Sequence, residues 1–246
     1  MGIKMDKARC NGKELKIHDY EADKINGILF CFYCNAEVVY VHTHKRNLGD
    51  REITVSKHFR LKRGEQHEEG CRYTIDGAVK YIYSTCADNE IMSKQDHYYI
   101  VRLIDIFGDD NEINHHIETI DQSVYRNIRN NFILKGKKPK YLSTMNQIME
   151  LRSRVENNSE LEDTIRLQYY DSFGNPKTVS WNQFYYDSDT TNDYKNLFQN
   201  LKQKKIDHRI CVAGIIDAVS NVTKIEKFCI RLRAVPGDGI DYISIS

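Results

Sequence analysis

Cys31-Phe32-Tyr33-Cys34 is the stretch that decides how the rest of the chain is read, and it is answered downstream by His58-Phe59 and by His67-Glu68-Glu69-Gly70-Cys71. Two thiols at C-x2-C spacing form a tight turn that can direct both sulfurs at one ion. His67 and Cys71 stand four residues apart, about one helical turn, so both can face the same way. Cysteine and histidine pairs separated by a β-hairpin are how closed zinc sites are built. The candidate ligands are Cys31, Cys34, His58, His67 and Cys71, of which a four-coordinate ion takes four. A set closed by protein donors leaves no position for water. The expected cofactor is therefore a structural Zn²⁺, one that folds the module and performs no reaction.

The segments around this cluster read as strands. Residues 13–17 predict a short strand or hairpin, and Ile28-Leu29-Phe30 delivers the turn. Val38-Val39-Tyr40-Val41 and Ile53-Thr54-Val55 flank Asn47-Leu48-Gly49-Asp50, which predicts an antiparallel hairpin closed by turn-forming residues. His58 then lies where the returning strand approaches the first thiol pair. Residues 62–70 form a polar loop, and Ile75, Val79 and Ile82 or Tyr83 predict a short helix over residues 75–83.

The order Cys-x2-Cys, strand, hairpin, His-Phe, polar loop, His-x3-Cys resembles the N-terminal zinc module of competence-protein CoiA-like proteins. The resemblance covers the first third of the chain and rests on Cys31, Cys34, His58-Phe59, His67 and Cys71. The second histidine of that family's His-Phe-Ala-His-type motif falls at Leu61 here, so His58 and His67 both stand as candidates for the fourth ligand. In the family this module precedes a restriction-endonuclease-like domain. The resemblance therefore implies DNA-related biology in a bacterial or phage system.

Beyond the module the pattern changes. Residues 98–107 form a strand-like apolar run, and residues 113–132 are helical in part. Pro139 opens the clearest helix, residues 141–155, with Leu142, Met145, Ile148, Met149, Leu151 or Arg152, and Val155 as its stripe. From Glu160 the chain turns β-rich. Residues 164–170 and 177–181 predict a hairpin, and residues 192–204 an amphipathic helix using Tyr194, Leu197, Phe198 and Leu201. Three further strands follow over 209–216, 224–232 and 242–245. The fold class is α+β: a zinc-ribbon-like β-hairpin module (residues 1–90), a central mixed or helical segment (91–158) and a β-rich C-terminal domain (159–246), either an OB-like barrel or an open sheet.

Composition narrows the function classes. Of 246 residues, 36 are Lys or Arg and 35 Asp or Glu, a formal net charge of +1. Any nucleic-acid contact must then come from local patches and not from an overall basic excess. No apolar run approaches the roughly 20 residues that cross a bilayer. Seven cysteines, three of them in the cluster, fit a reducing compartment better than a disulfide framework, and the expected location is the cytoplasm.

Three basic groups are interleaved with aromatics, the combination that phosphate neutralisation and base stacking require. The first is Lys57, Arg60, Lys62 and Arg63. The second is Arg126, Arg129, Lys135, Lys137, Lys138 and Lys140. The third is Lys202, Lys204, Lys205, Arg209, Arg231 and Arg233. Exposed charged faces balanced by acids are the competing reading. His42 and His44 share a strand face and could bind metal or phosphate, with a plain exposed sheet face as the competing reading, whereas His115-His116 point apart as neighbours do and make a poor chelate. A divergent metal-dependent nuclease would use Asp105 with Asp109 or Asp110, near Glu112, yet no acid-x-Lys follows on a convincing central strand. The leading expectation is a non-enzymatic, zinc-binding nucleic-acid-binding or DNA-processing accessory protein. A nuclease is the alternative, and so is an inhibitor or adaptor that binds a protein of a DNA-processing or defence system.

Overall fold

Alternating burial along Lys7–Cys10, with Ala8 and Cys10 inward, marks the first strand of an α+β fold. The computed structural model describes residues 3–21, 27–47, 52–103, 137–155, 159–171, 175–187, 193–222, 227–233 and 242–245. The chain divides into two compact units, Met1–Arg46 with Thr54–Thr178, and Asn47–Ile53 with Val179–Ser246.

The first unit carries a five-stranded sheet in the order β2-β1-β3-β4-β7. Its strands are β1 (Lys7–Cys10), β2 (Lys13–Lys16), β3 (Leu29–Cys31), β4 (Glu37–Val41) and β7 (His58–Leu61), and every pairing is antiparallel. Ala8 lies opposite Cys31, and Val38 opposite Leu61. The expected hairpin is corrected here: residues 38–41 pair with 58–61, not with 53–55. The hairpin extends outward as a second ladder, β5 (His44–Asn47) on β6 (Glu52–Val55). At the break between the two ladders the Lys57 N–H donates to Thr43 Oγ1 at 3.2 Å. All four side chains of β5 are exposed, so it has no apolar alternation by which a strand could be recognised.

Helix α1 (Ile75–Cys86) starts where Thr74 Oγ1 accepts the Gly77 N–H at 3.1 Å, an N-cap that satisfies one orphan donor. Ile75, Val79, Ile82 and Cys86 face inward, and the helix ends at Ala87 in the left-handed region. Helix α2 (Lys138–Arg154) has Pro in its first turn and buries Tyr141, Thr144, Ile148 and Leu151. The expected stripe is rotated, with Leu142 exposed and Thr144 inside. The Thr144 hydroxyl donates to the Lys140 carbonyl at 2.9 Å, so its polar group is satisfied within the helix and its methyl can join the core. Both helices pack together, and α3 (Ser159–Thr164) packs on α1.

A second sheet runs β11-β10-β9-β8, from Pro176–Ser180, Ile165–Tyr170, Tyr98–Arg102 and Met92–Gln95. β9 and β10 are parallel, with Leu167 opposite Val101 and both fully buried. β10 and β11, joined through Asp171 and Asn175, match the expected hairpin.

In the second unit the core gathers Trp181 and Phe184 of α4 (Trp181–Phe184), Tyr186 of β12 (Tyr185–Asp187), and Tyr194 and Leu197 of α5 (Asp193–Lys202). Trp181 stacks on Tyr185 with centroids 5.3 Å apart. Tyr194 donates to the Ala213 carbonyl at 2.7 Å. β13 (Cys211–Ala213) lies parallel to β12. β14 (Ile216–Val222), β15 (Lys227–Arg233) and β16 (Tyr242–Ile245) form an antiparallel meander, and among the described residues no pair closes it into a barrel. Only half of the expected stripe of α5 is inside, since Phe198 and Leu201 are exposed.

Candidate metal centre

Three pieces of chain bring the donors together. Cys31 ends β3, and Cys34 follows after a turn. His67 comes from the polar loop, and Cys71 from the turn that leads into α1. The donor atoms of Cys31, Cys34, His67 and Cys71 all lie within 4.8 Å of one another. Cys31 Sγ is 3.7 Å from Cys71 Sγ, and His67 Nδ1 is 3.3 Å from Cys34 Sγ and 3.5 Å from Cys71 Sγ. A tetrahedral ion with metal–sulfur bonds of about 2.3 Å and a metal–nitrogen bond of about 2.0 Å has edges of about 3.8 Å (S–S) and about 3.5 Å (S–N). Those three separations are close to such edges, and the remaining pairs lie within 4.8 Å.

The local backbone favours this arrangement. The Tyr33 N–H points at Cys31 Sγ at 3.4 Å, and the Tyr73 N–H at Cys71 Sγ at 3.5 Å. In each case the amide two residues on favours a thiolate. Gly70 (φ +73°) turns the chain before Cys71. A Cβ on Gly77 would sit 2.1 Å from the Cys71 carbonyl oxygen, so only glycine lets α1 start against the ligand turn.

Side chains outside the donor set fix its position. Arg9 on β1 donates Nε to the Cys31 carbonyl at 3.0 Å, and Nη2 to the Cys34 carbonyl at 2.9 Å and to Asn35 Oδ1 at 3.0 Å. Glu68 Oε1 accepts from Asn35 N at 3.1 Å and Nδ2 at 2.9 Å, which ties the histidine loop to the first turn. Tyr73 donates to Asp6 Oδ1 at 2.6 Å, and Asp6 in turn pairs with Arg154 of α2 at 3.3 Å. Neither Arg9 nor Glu68 stands at ligand spacing, so nothing in the sequence marks them. They are recognised only once the strand order places them beside the turn.

The electrostatics suit a bound cation. Burial pushes the Cys31 and Cys71 thiols up and holds the His67 imidazole below its usual range, so without an ion these three donors favour their neutral forms. His67 Nδ1 faces the sulfurs, while Nε2 is buried with no hydrogen-bond partner among the described residues. Burying an unpaired imidazole N–H costs about 1–3 kcal/mol, which a metal bond at Nδ1 offsets.

His58 stands outside the group. It is buried on β7, and its Nδ1 donates to the Ser56 carbonyl at 2.8 Å. His42 lies in the break between β4 and β5 with its carbonyl bonded by His44 Nδ1 at 3.0 Å, and both are exposed. The six described cysteines, Cys10, Cys86 and Cys211 among them, form no disulfide with one another.

The basic candidates divide. Lys62 is ion-paired with Glu37, and Lys137 with Glu90 and Asp88, contacts that raise both lysine pKa values. Lys57 Nζ donates to the His18 carbonyl at 3.2 Å. Arg60, Arg63, Lys138 and Lys140 are exposed and carry no ion pair among the described residues. In the second unit, Lys202, Lys204, Lys205 and Arg209 are exposed. Arg126, Arg129 and Lys135 lie outside the described residues, as do Asp105, Asp109, Asp110, Glu112, His115 and His116. No described helix is long and apolar enough to cross a membrane. Comparison with known proteins finds no matching family model, no matching curated protein and no matching solved structure.

Proposed function

We propose that the chain is a zinc-stabilised, non-enzymatic protein that binds nucleic acid or assists its processing. The observation that carries the first half is the convergence of the Cys31, Cys34, Cys71 and His67 donor atoms within 4.8 Å of one another, with three of the separations close to tetrahedral edge lengths. Three thiolates and one imidazole select a borderline-soft ion such as Zn²⁺ over the hard ions that oxygen ligands hold. Four protein donors complete the coordination, so the ion ties β3, the polar loop and α1 together and leaves no place for a substrate. The resemblance of the motif order to CoiA-like zinc modules supports a role beside DNA. So do the exposed cations of Arg60, Arg63, Lys138 and Lys140, which pair with no acid among the described residues.

Metal analysis of protein purified without added ions should find about one equivalent of zinc per chain. Titration with DNA and RNA at low and moderate salt should show binding that weakens steeply with salt. Lys138→Glu with Lys140→Glu should weaken it more than Lys137→Glu, whose lysine is already paired. A folded, metal-free protein would overturn the zinc reading. Absence of binding at low salt would overturn the nucleic-acid reading.

A further inference from the structure

The two turns that supply the thiols also build a stack of side chains on their outer side. Tyr33 lies between Cys31 and Cys34, Arg72 follows Cys71, and Tyr81 comes from α1. The Arg72 guanidinium carbon sits 3.3 Å from the Tyr81 ring centroid and 4.6 Å from that of Tyr33. Both rings reach solvent, Tyr81 at 39% exposure and Tyr33 at 36%. Tyr33 is braced from behind, by Tyr73 at 5.0 Å and edge-on by Phe32 at 5.0 Å.

The contrast with Arg9 is informative. Arg9 spends its donors on the carbonyls of the ligand turn, as an arginine with a purely structural task does. Arg72 lies over two tyrosine rings, and among the described residues no hydrogen bond or ion pair engages its N–H groups. A guanidinium clamped between rings keeps its planar fork of donors pre-oriented for an oxyanion. Lys80, exposed next to Tyr81, adds a second cation with no acid partner among the described residues. A fitting ligand must bring an oxyanion to the fork and a flat ring to an exposed tyrosine. Single-stranded nucleic acid brings both, because its bases are free to leave their own stack, whereas those of a duplex are not.

We propose that Tyr33, Arg72 and Tyr81 form a phosphate-and-base clamp for single-stranded nucleic acid, built on the outer side of the metal centre. The inference rests on the nucleic-acid reading above and adds the strand type and the contact residues.

The test uses full-length, zinc-loaded protein with two fluorescent probes, an oligodeoxythymidylate and a mixed-sequence duplex. Tyr81→Leu keeps apolar bulk and removes the stacking ring, and Arg72→Lys keeps the charge and removes the planar fork. Each should weaken oligodeoxythymidylate binding roughly tenfold or more. Duplex binding, zinc content and melting temperature should stay at wild-type values. Variants that keep their zinc and bind the single strand as wild type does would overturn the clamp while leaving the general reading intact. Equal losses on single strand and duplex would also overturn it, since they would report a contact that does not depend on an unstacked base. If wild-type protein binds neither probe at low salt, the nucleic-acid reading itself fails.

Discussion

Arg9→Met tests whether the metal centre is held in shape by the strand beside it. The substitution keeps the aliphatic stem and removes three hydrogen bonds, to the Cys31 carbonyl, the Cys34 carbonyl and Asn35 Oδ1. The Asn35 bond is exposed and contributes little. The two carbonyl bonds are partly buried and charge-assisted, and Cys31 itself is fully buried, so water replaces the guanidinium poorly. At about 1 kcal/mol each the loss is about 2 kcal/mol, close to a 30-fold change in an equilibrium constant. That magnitude agrees with the roughly 10–100-fold cost of removing groups that orient metal ligands. Charge adds in the same direction. Three thiolates and a divalent ion leave one negative charge in excess, which the guanidinium offsets.

The assay is competition for zinc with a chromophoric chelator, read at equilibrium and as a release rate. Arg9→Met should lose affinity by about 30-fold and release the ion faster, and Arg9→Lys, which can reach one carbonyl, should fall between. Wild-type affinity and release rate in a metal-loaded Arg9→Met protein would refute the reasoning. The turn would then be rigid without its strand-borne anchor.

Two other substitutions or conditions probe the same centre. Gly77→Ala would ordinarily favour a helix by up to about 1 kcal/mol, but here the new methyl meets the Cys71 carbonyl oxygen at 2.1 Å. The clash should dominate by about 1–3 kcal/mol, lowering the melting temperature by roughly 3–10 °C together with zinc affinity. An unchanged or raised melting temperature would mean that α1 can move away from the turn at no cost. The pH dependence follows from the direction of the shifts. The buried His67 has a folded pKa below its unfolded value, so its contribution is intact above about 6.5 and is lost as pH falls from there toward the folded value. The Cys31 and Cys71 thiols, pushed up by burial, must shed protons to bind. Zinc affinity should therefore rise with pH between the imidazole and thiol ranges, with a limiting slope of about three decades per pH unit for three thiols. A flat profile in chelator competition would show that the thiols are not the ligands.

Much of the centre was legible in the spacing of the residues, because a C-x2-C turn and a His-x3-Cys turn are local geometries that demand little of the rest of the chain. The fourth ligand was not, since His58 and His67 are equally placed in sequence, and burial with a carbonyl partner at Nδ1 separates them only in the fold. Helix α1 was visible in Ile75, Val79 and Ile82, whereas α2 was rotated by Thr144, a polar residue whose hydroxyl is satisfied four residues back. Of the outer ladder, β6 was legible in Ile53-Thr54-Val55, whereas β5 was not, because it is wholly exposed and its sequence carries no apolar period. Arg9, Glu68 and Gly77 matter through strand order and close approach, which no single-residue pattern encodes.

The polar loop explains why the histidine donor comes from where it does. Of residues 62–70 only His67 is not exposed, so no apolar side chain anchors the segment. Fixing its backbone costs about 1–2 kcal/mol per residue, on the order of 10–15 kcal/mol for the loop. Solvent-exposed contacts such as Glu68 to Asn35 return at most about 1 kcal/mol each. Closed zinc sites of this kind contribute about 10–16 kcal/mol, the right size to hold such a loop in place. His58 could not serve this purpose, because β7 is already held by its ladder with β4 and by Phe59 in the core. A ligand on a strand that folds regardless adds little order, whereas one on a loop that otherwise has nothing to bury converts metal affinity directly into structure.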